Sequence, residues 1–332
     1  MSTNPLKYTA SLLYRVISAV YLLIIRLTRP IVKWGLRRTT GLCELQRICY
    51  CEPNGAIRIF SVEECLSKSK NKKIKKLSEY LERAVSEKRF NQTGSNKIIS
   101  NTVETICSIK NIRPDVHQPF GKLFGDCVSV IYGYKQLLNK LEDLKSTKYD
   151  STNLDHEQNL LELWDSLMSP KQLQSRISNL WKEIGFQGDD PSTDFRGMGV
   201  LGLANLNYLA NNYKDVVLQV LSHSHHPKYG YPFAIVGINL THLSYSLWKD
   251  GSAKSHVYNL CCQTSSSPVP SILHFHRFYC YLFVEFDKYW MAEKPSTIME
   301  FERIRAQFEK NIRKLLSNRN CLLKLNIPVE NV

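Results

Sequence analysis

The chain has 332 residues, of which 43% are hydrophobic and 22% charged. This length fits one large domain or two ordinary ones, and the apolar content is too high for a disordered chain. No run of 18 uncharged apolar residues occurs, which excludes a polytopic membrane protein. Ten cysteines are about 3% of the chain, far fewer than a disulfide scaffold contains.

Positive charge is concentrated in the N-terminal part of the chain. Residues 1–90 hold 18 lysines and arginines against 7 acidic residues, an excess of 11, whereas the rest of the chain has an excess of only 3. The nearly neutral C-terminal part carries no zinc-finger, RNP or basic-zipper pattern. We therefore expect no nucleic-acid partner and assign the charge to an N-terminal appendage.

Residues 1–40 form a basic, apolar arm. Residues 1–43 contain seven bases and no acid, and 16–25 is an uncharged run of ten. Ten helical residues rise about 15 Å, half of a bilayer core. The arm is expected to lie on an anionic membrane of the endoplasmic reticulum, lipid droplets or mitochondria, facing the cytosol. The alternatives are a mitochondrial-type targeting segment and packing on the body by Leu12, Leu13, Val16, Tyr21 and Leu22.

A second basic run, at residues 68–76, contains six lysines around Ile74 and is followed by acidic residues at helical spacing. The pattern favours a solvated helix start, with attraction to anionic lipid as the alternative.

Beyond the arm, the hydrophobic pattern is mainly helical. Residues 54–62 alternate like a β-strand, and residues 145–153 are polar and predict a linker. Apolar residues recur at helical spacing through the rest of the chain, and no repeat is detectable. Helices are predicted over 99–106, 128–144, 160–167, 173–184, 233–247, 272–286 and 301–315. The fold class is therefore all-α, a helical body preceded by the arm.

Neither a metal site nor a hydrolase is indicated. Histidines cluster at 223–226 and 274–276, but cysteine pairs at zinc-ligand spacing do not accompany them. The G-x-S-x-G, P-loop and H-E-x-x-H motifs are missing. The cysteines are expected to be reduced and mostly buried thiols.

Residues 181–199 are rich in glycine and aspartate between two apolar helices, one ending near Gly185 and one beginning near Met198. The Asp190-Pro191 pair favours an extended turn. Ser192 or Thr193 is expected to cap the following helix, with Asp194 complementing its positive end.

Arg196 is unexpected at the start of a helix, because a cation there faces the positive end of the helix dipole. Two interpretations stay open at this point. Either Asp190 or Asp194 pairs with Arg196 and ties the loop, or the arginine is presented to an anionic partner.

At this segment the sequence resembles the ELMO (engulfment and cell motility) domain, in its ELMO-domain-containing branch. The branch motif is matched at Trp181, Ile184–Gly188, Asp190, Pro191, Thr193–Gly197, Gly199 and Leu201. Similar blocks extend the resemblance to residues 41–318. It implies an ELMO domain at 149–318, preceded by a helical N-terminal region at 41–148 and followed by a tail at 319–332.

The resemblance implies a domain that accelerates GTP hydrolysis by GTP-bound Arf-family, especially Arf-like, small GTPases. Arg196 matches the arginine on which that activity depends. Hydrolysis at the γ-phosphate requires neutralised charge, and an arginine supplied in trans meets this need. GTP and magnesium belong to the partner, so no cofactor is expected. The residues predicted to bind the partner are Gln187, Asp190 and Asp194. Their alternative role is to shape the loop. The alternatives are a non-catalytic GTPase-binding scaffold and a membrane adaptor.

The predicted structural residues are Trp181, Ile184, Gly185, Phe186, Gly188, Pro191, Thr193, Phe195, Gly197 and Gly199.

Overall fold

The computed structural model describes residues 17, 18, 20, 28, 30–90, 94–263 and 269–325. All regular elements within these residues are helices, which confirms the all-α fold class. The α-helices are α1 (30–40), α2 (Glu44–Cys51), α3 (Ala56–Ser67), α4 (Lys72–Ser86), α5 (Gly94–Lys110), α6 (Gln118–Ser146), α7 (Leu154–Met168), α8 (Gly199–Asn212), α9 (Lys214–Ser224), α10 (Phe233–Lys249), α11 (Lys254–Gln263), α12 (Ile272–Glu293) and α13 (Phe301–Leu316). Three short 3₁₀ helices cover Asn179–Ile184, Pro191–Gly197 and Ile298–Glu300.

The strand predicted at residues 54–62 is wrong, because these residues begin α3. Gly55 starts the helix with a φ of 118°, and the buried residues Ala56, Ile59 and Val62 follow at helical spacing. The amide of Ala56 donates to Asn259 Oδ1 at 2.8 Å, so a residue on α11 caps the helix. That contact joins residues 203 positions apart and has no local sequence signal.

The helix predicted over residues 173–184 is also wrong in part. The chain is irregular up to Ser178 and then forms only the 3₁₀ helix Asn179–Ile184, while Ile177 is exposed. Ser175 Oγ donates to the carbonyl of Ile177, and the amide of Ser178 donates to the carbonyl of Asp189 at 2.9 Å. These bonds replace the hydrogen bonds that an α-helix would form.

Helix α8 lies at the centre of the fold. It packs against α6, α7, α9, α10 and α12, and nine of its 14 residues are buried. Helices α2–α5 all pack against α6, and α11 packs on α3. A continuous hydrophobic core joins these groups. Because α8 begins at Gly199, the end of the motif segment is fixed to the core of the molecule.

The N-terminal arm is described only in part. Ile17 and Val20 are exposed, and α1 has exposed apolar side chains at Ile31 and Trp34. The residues proposed to pack on the body, 12, 13, 16, 21 and 22, lie outside the described residues. None of the described helices is both long enough and apolar enough to cross a membrane.

Candidate functional site

The segment 181–199, here called the motif loop, is anchored by aromatic side chains. Trp181 is fully buried, and its ring meets the Trp164 ring on α7 edge-on, with centroids 5.3 Å apart. Its indole N–H donates to the carbonyl of Arg176 at 2.8 Å. Phe186 packs edge-on against both Trp181 and Phe195. Together with buried Ile184 and Pro191, these rings hold the loop on the body.

Gly185 and Gly199 are required by the backbone. Gly185 has a φ of 83°, and a Cβ there would lie 2.3 Å from the amide nitrogen of Phe233. Gly199 has a φ of 52°, and its Cβ would lie 2.3 Å from the carbonyl oxygen of Thr147. No side chain fits at either position without moving neighbouring backbone. The two glycines therefore fix both ends of the loop.

Gly188 and Gly197 have a different environment. A Cβ at Gly188 would have its nearest neighbour at 3.8 Å, and a Cβ at Gly197 would have none within 4 Å. Neither residue has a left-handed φ. Packing among the described residues thus gives no reason for glycine at these two positions.

Asp190 is held from inside the protein by an arginine that the sequence did not single out. Arg176 Nη1 lies 2.8 Å from Asp190 Oδ1, and Arg176 Nε donates to Glu157 Oε2 at 2.9 Å. The hydroxyl of Tyr149 donates to Oε1 of the same glutamate at 2.5 Å. Burial raises the pKa of Asp190, but the hydrogen bonds from Arg176 and Ser192 outweigh it and hold that pKa below its usual value.

The predicted helix cap is wrong, because neither Ser192 nor Thr193 caps α8. Asp190 instead accepts a hydrogen bond from the amide of Ser192 at 3.0 Å and caps the 3₁₀ helix Pro191–Gly197. That helix lies between Asp190 and α8, whose N-cap position is Met198 without a side-chain bond. Asp194 accepts from the amide of Gln187 at 2.9 Å. Burial raises the pKa of Asp194, despite this bond and the nearby charge of Arg196.

Arg196 is exposed on the 3₁₀ helix Pro191–Gly197. Its Nε donates to the carbonyl of Thr193 at 2.7 Å, and it forms no ion pair with any described carboxylate. The interpretation that Asp190 or Asp194 ties this arginine is therefore wrong, since those carboxylates bond to Arg176 and to the Gln187 amide. The side chain of Gln187 is exposed beside them.

The histidine clusters have structural contacts. His225 Nε2 donates to the carbonyl of Glu183 at 2.6 Å and ties the end of α9 to the motif loop. His223 Nδ1 lies 2.7 Å from buried Asp287, which also accepts from Tyr231. Within the described ranges, no three His, Cys, Asp or Glu side chains are grouped so that they could hold a metal ion. Seven of the ten cysteines are buried and all are free thiols.

Comparison with known proteins identifies the family to which this site belongs. A model of the ELMO/CED-12 family matches residues 139–305, which include the whole motif loop. The human ELMO domain-containing protein 2 is 45% identical over 296 residues, covering 89% of this chain and 94% of that protein. The chain belongs to the ELMO/CED-12 family.

More distant ELMO relatives align over similar lengths. ELMO domain-containing protein 1 of Mus musculus is 42% identical over 309 residues, covering 88% of this chain and 89% of that protein. ELMO domain-containing protein B of Dictyostelium discoideum is 32% identical over 287 residues, covering 85% and 93%. The similarity therefore includes the helices that precede the ELMO region as well as the motif loop.

Proposed function

We propose that this protein stimulates GTP hydrolysis by Arf-family small GTPases, Arf-like ones in particular, with Arg196 acting in trans. Membership of the ELMO/CED-12 family and the resemblance of the motif loop to the ELMO-domain-containing branch support the proposal. The observation that carries it is the environment of Arg196. This arginine is exposed and pairs with no carboxylate among the described residues, on a loop where Asp190 and Asp194 are bonded to other groups.

In this proposal Arg196 neutralises the charge that develops on the oxygens of the transferred γ-phosphoryl group. The bond from Nε to the Thr193 carbonyl fixes the side chain at its base. Nη1 and Nη2 are then available for paired hydrogen bonds to phosphate oxygens. The GTPase holds GTP, magnesium and the attacking water, and this chain contributes no cofactor.

The open space around Gly188 and Gly197 agrees with such a role. Both glycines lie in the motif loop, yet the fold leaves room for a side chain at each. A backbone without a Cβ permits the closest approach of another protein surface. We propose that these glycines, with the side chain of Gln187, contact the GTPase next to Arg196.

The test combines three measurements on Arg196→Lys and Arg196→Ala. These are the melting temperature, the affinity for the GTP-loaded GTPase and the rate of single-turnover hydrolysis, for a panel of Arf-family proteins. A catalytic arginine predicts near-normal stability and ground-state binding, with stimulated hydrolysis lower by about 10³–10⁵. Lysine should rescue poorly, because an ammonium group lacks the planar fork of a guanidinium.

Lys182→Ala is the matched control, since Lys182 is another exposed cation of the motif loop, paired with Asp189 at 2.7 Å. Its loss should leave hydrolysis nearly unchanged. Wild-type protein that binds GTP-loaded GTPases without accelerating hydrolysis would instead be a scaffold. Arg196 variants that unfold or lose binding in step with activity would make the arginine a structural residue.

We also propose that residues 1–40 bind an anionic, cytosol-facing membrane surface peripherally. The seven bases, the ten-residue apolar run and the exposed apolar residues of α1 support this. A chain lacking residues 1–40 should leave the membrane fraction of cells and keep its activity on soluble GTPases. Unchanged membrane association of the shortened chain would show that the arm is not the anchor.

A further inference from the structure

A group of lysines at the start of α4 has no structural explanation. Lys70, Lys72, Lys73, Lys75 and Lys76 are all exposed, and none forms an ion pair with a described carboxylate. We call these five residues the lysine face. Lys68 is excluded from it, because it pairs with Glu64 at 2.8 Å.

The charges of the lysine face destabilise α4, and a solvated helix start does not require them. The first turn of α4 contains no acidic residue, although the positive end of a helix dipole favours acids and disfavours lysines. Lys72 and Lys76 are also four residues apart, a spacing at which like charges repel on a helix. Asn71 caps α4 through two backbone amides, so helix formation does not need these charges. An external anion would relieve both kinds of repulsion.

Side-chain contacts link α1 to the end of α3, which precedes the lysine face in the chain. Lys33 on α1 lies 2.5 Å from Glu44, which accepts a hydrogen bond from the Cys65 thiol near the end of α3. Burial and Glu44 raise the pKa of Cys65 to about 12, and the nearby charges of Lys33 and Lys110 oppose the rise. Helix α4 begins seven residues after Cys65.

A shallow groove of about 570 Å³ joins the lysine face to α5. Lys73, Lys76 and Leu77 line it from α4, and Thr105, Ser108 and Ile109 line it from α5. Glu104, also on the groove, is hydrogen-bonded to Ser100 at 3.1 Å. The lysines are thus adjacent to hydroxyl groups and to apolar surface.

We propose that the lysine face and the exposed side of α1 form one surface that docks the folded body onto an anionic lipid bilayer. Lysines on flexible stems suit lipid phosphates and carboxylates that present no fixed geometry. Ile31 and Trp34 on α1 are 70% and 67% exposed, and such side chains enter the head-group region of a bilayer. An acidic protein would satisfy the lysines but would leave this apolar pair in water.

Helix α1 belongs to the arm, whereas the lysine face lies outside it at residues 70–76, and the contact does not depend on GTPase activation. It fixes the orientation of the body on a membrane, because the contact includes α1 and α4 rather than a single tether. The proposal therefore extends the membrane contact proposed for the arm from α1 to the lysine face on the body.

Tryptophan fluorescence of the full-length protein provides the test. Trp34 is exposed, whereas the other four tryptophans are at most 1% exposed. Vesicles of phosphatidylserine and brominated phosphatidylcholine should therefore quench Trp34 selectively, and Trp34→Phe should abolish the quenching. A lysine near an anionic surface contributes about fivefold in affinity. The triple variant Lys72→Gln, Lys73→Gln, Lys76→Gln should therefore bind these vesicles about 10²-fold more weakly.

The matched control neutralises three exposed, unpaired lysines elsewhere among the described residues: Lys214→Gln, Lys310→Gln, Lys314→Gln. It should keep wild-type affinity and quenching. Equal vesicle binding by the lysine-face variant and the wild type would overturn the proposal. So would normal vesicle binding combined with lost binding to polyglutamate, which would assign the surface to an acidic protein. Melting temperatures of all variants confirm that each is folded.

Discussion

The ion pair between Arg176 and Asp190 should stabilise the motif loop more than an ordinary surface pair does. Arg176 Nη1 lies 2.8 Å from Asp190 Oδ1, and the two side chains are only 23% and 35% exposed. Arg176 also donates to Glu157, so it is held on two sides. We expect replacement of either partner to destabilise the protein, with a measurable coupling between the two.

The expected coupling lies between two known limits. Exposed ion pairs contribute about 0.2–1 kcal/mol, and hydrogen bonds to charged groups contribute about 1.5–3 kcal/mol. Because this pair is mostly but not fully buried, we expect about 1–2 kcal/mol at pH 7. Lys182 and Asp189 provide a control in the same loop, since they are 2.7 Å apart but 54% and 52% exposed. Their coupling should stay below about 1 kcal/mol.

Double-mutant cycles measured by urea unfolding test this expectation. One cycle uses Arg176→Gln and Asp190→Asn, and the other uses Lys182→Gln and Asp189→Asn. In 1 M salt, where the Debye length is about 3 Å, the control coupling should vanish while much of the Arg176 coupling persists. Equal couplings in the two cycles would refute the reasoning that burial strengthens the Arg176 contact.

The pH dependence of the coupling has a definite sign. The pKa of Asp190 is lowered in the folded protein from an ordinary value of 3.8. The stabilisation is therefore complete above the ordinary pKa and is lost only as the pH falls through the lower, folded value.

Three further predictions concern stability. Trp181→Ala should cost about 3–5 kcal/mol and lower activity with it, whereas lost activity at an unchanged melting temperature would place Trp181 against the partner. Gly185→Ala should lower the melting temperature strongly, whereas Gly197→Ala should be neutral or slightly stabilising, as differential scanning calorimetry can check. Burial lowers the pKa of His256 from 6.5 to about 4. Stability should therefore fall by about 1.4 kcal/mol per pH unit between those values as the pH drops, because only the unfolded chain takes up the proton. His256→Asn, which keeps an acceptor for the amide of Leu323, should flatten this slope in urea titrations.

Helices with a regular apolar stripe could be predicted from the sequence. The stripes over 233–247 and 272–286 correspond to α10 and α12. A helix that buries one face has an apolar residue at every turn, and this repeat is visible in the sequence. The alternation at residues 54–62 is misleading, since Ala56, Ile59 and Val62 also satisfy helical spacing over so short a run. The distant cap from Asn259 favours the helix there.

The candidate site could be predicted in part. The buried anchors Trp181 and Phe186 follow from the composition of the motif loop, as does the left-handed Gly185. Arg176 could not be found, because it lies outside the loop in an irregular segment and its bond to Asp190 is tertiary. The irregular path of the chain around Ser178 also depends on a contact with the motif loop, the bond from its amide to the carbonyl of Asp189.

The bonding of two nearby carboxylates explains why Arg196 forms no ion pair within the described part of the chain. Asp190 accepts from Arg176 and Asp194 from the backbone of Gln187, so both acids near the arginine are engaged in shaping the loop. Arg196 is then held only through Nε, by the carbonyl of Thr193. A lysine has one cationic nitrogen, which cannot serve Thr193 and a phosphate oxygen in fixed directions at once. Under the proposed function, the loop therefore positions a guanidinium specifically, and a positive charge alone is not enough.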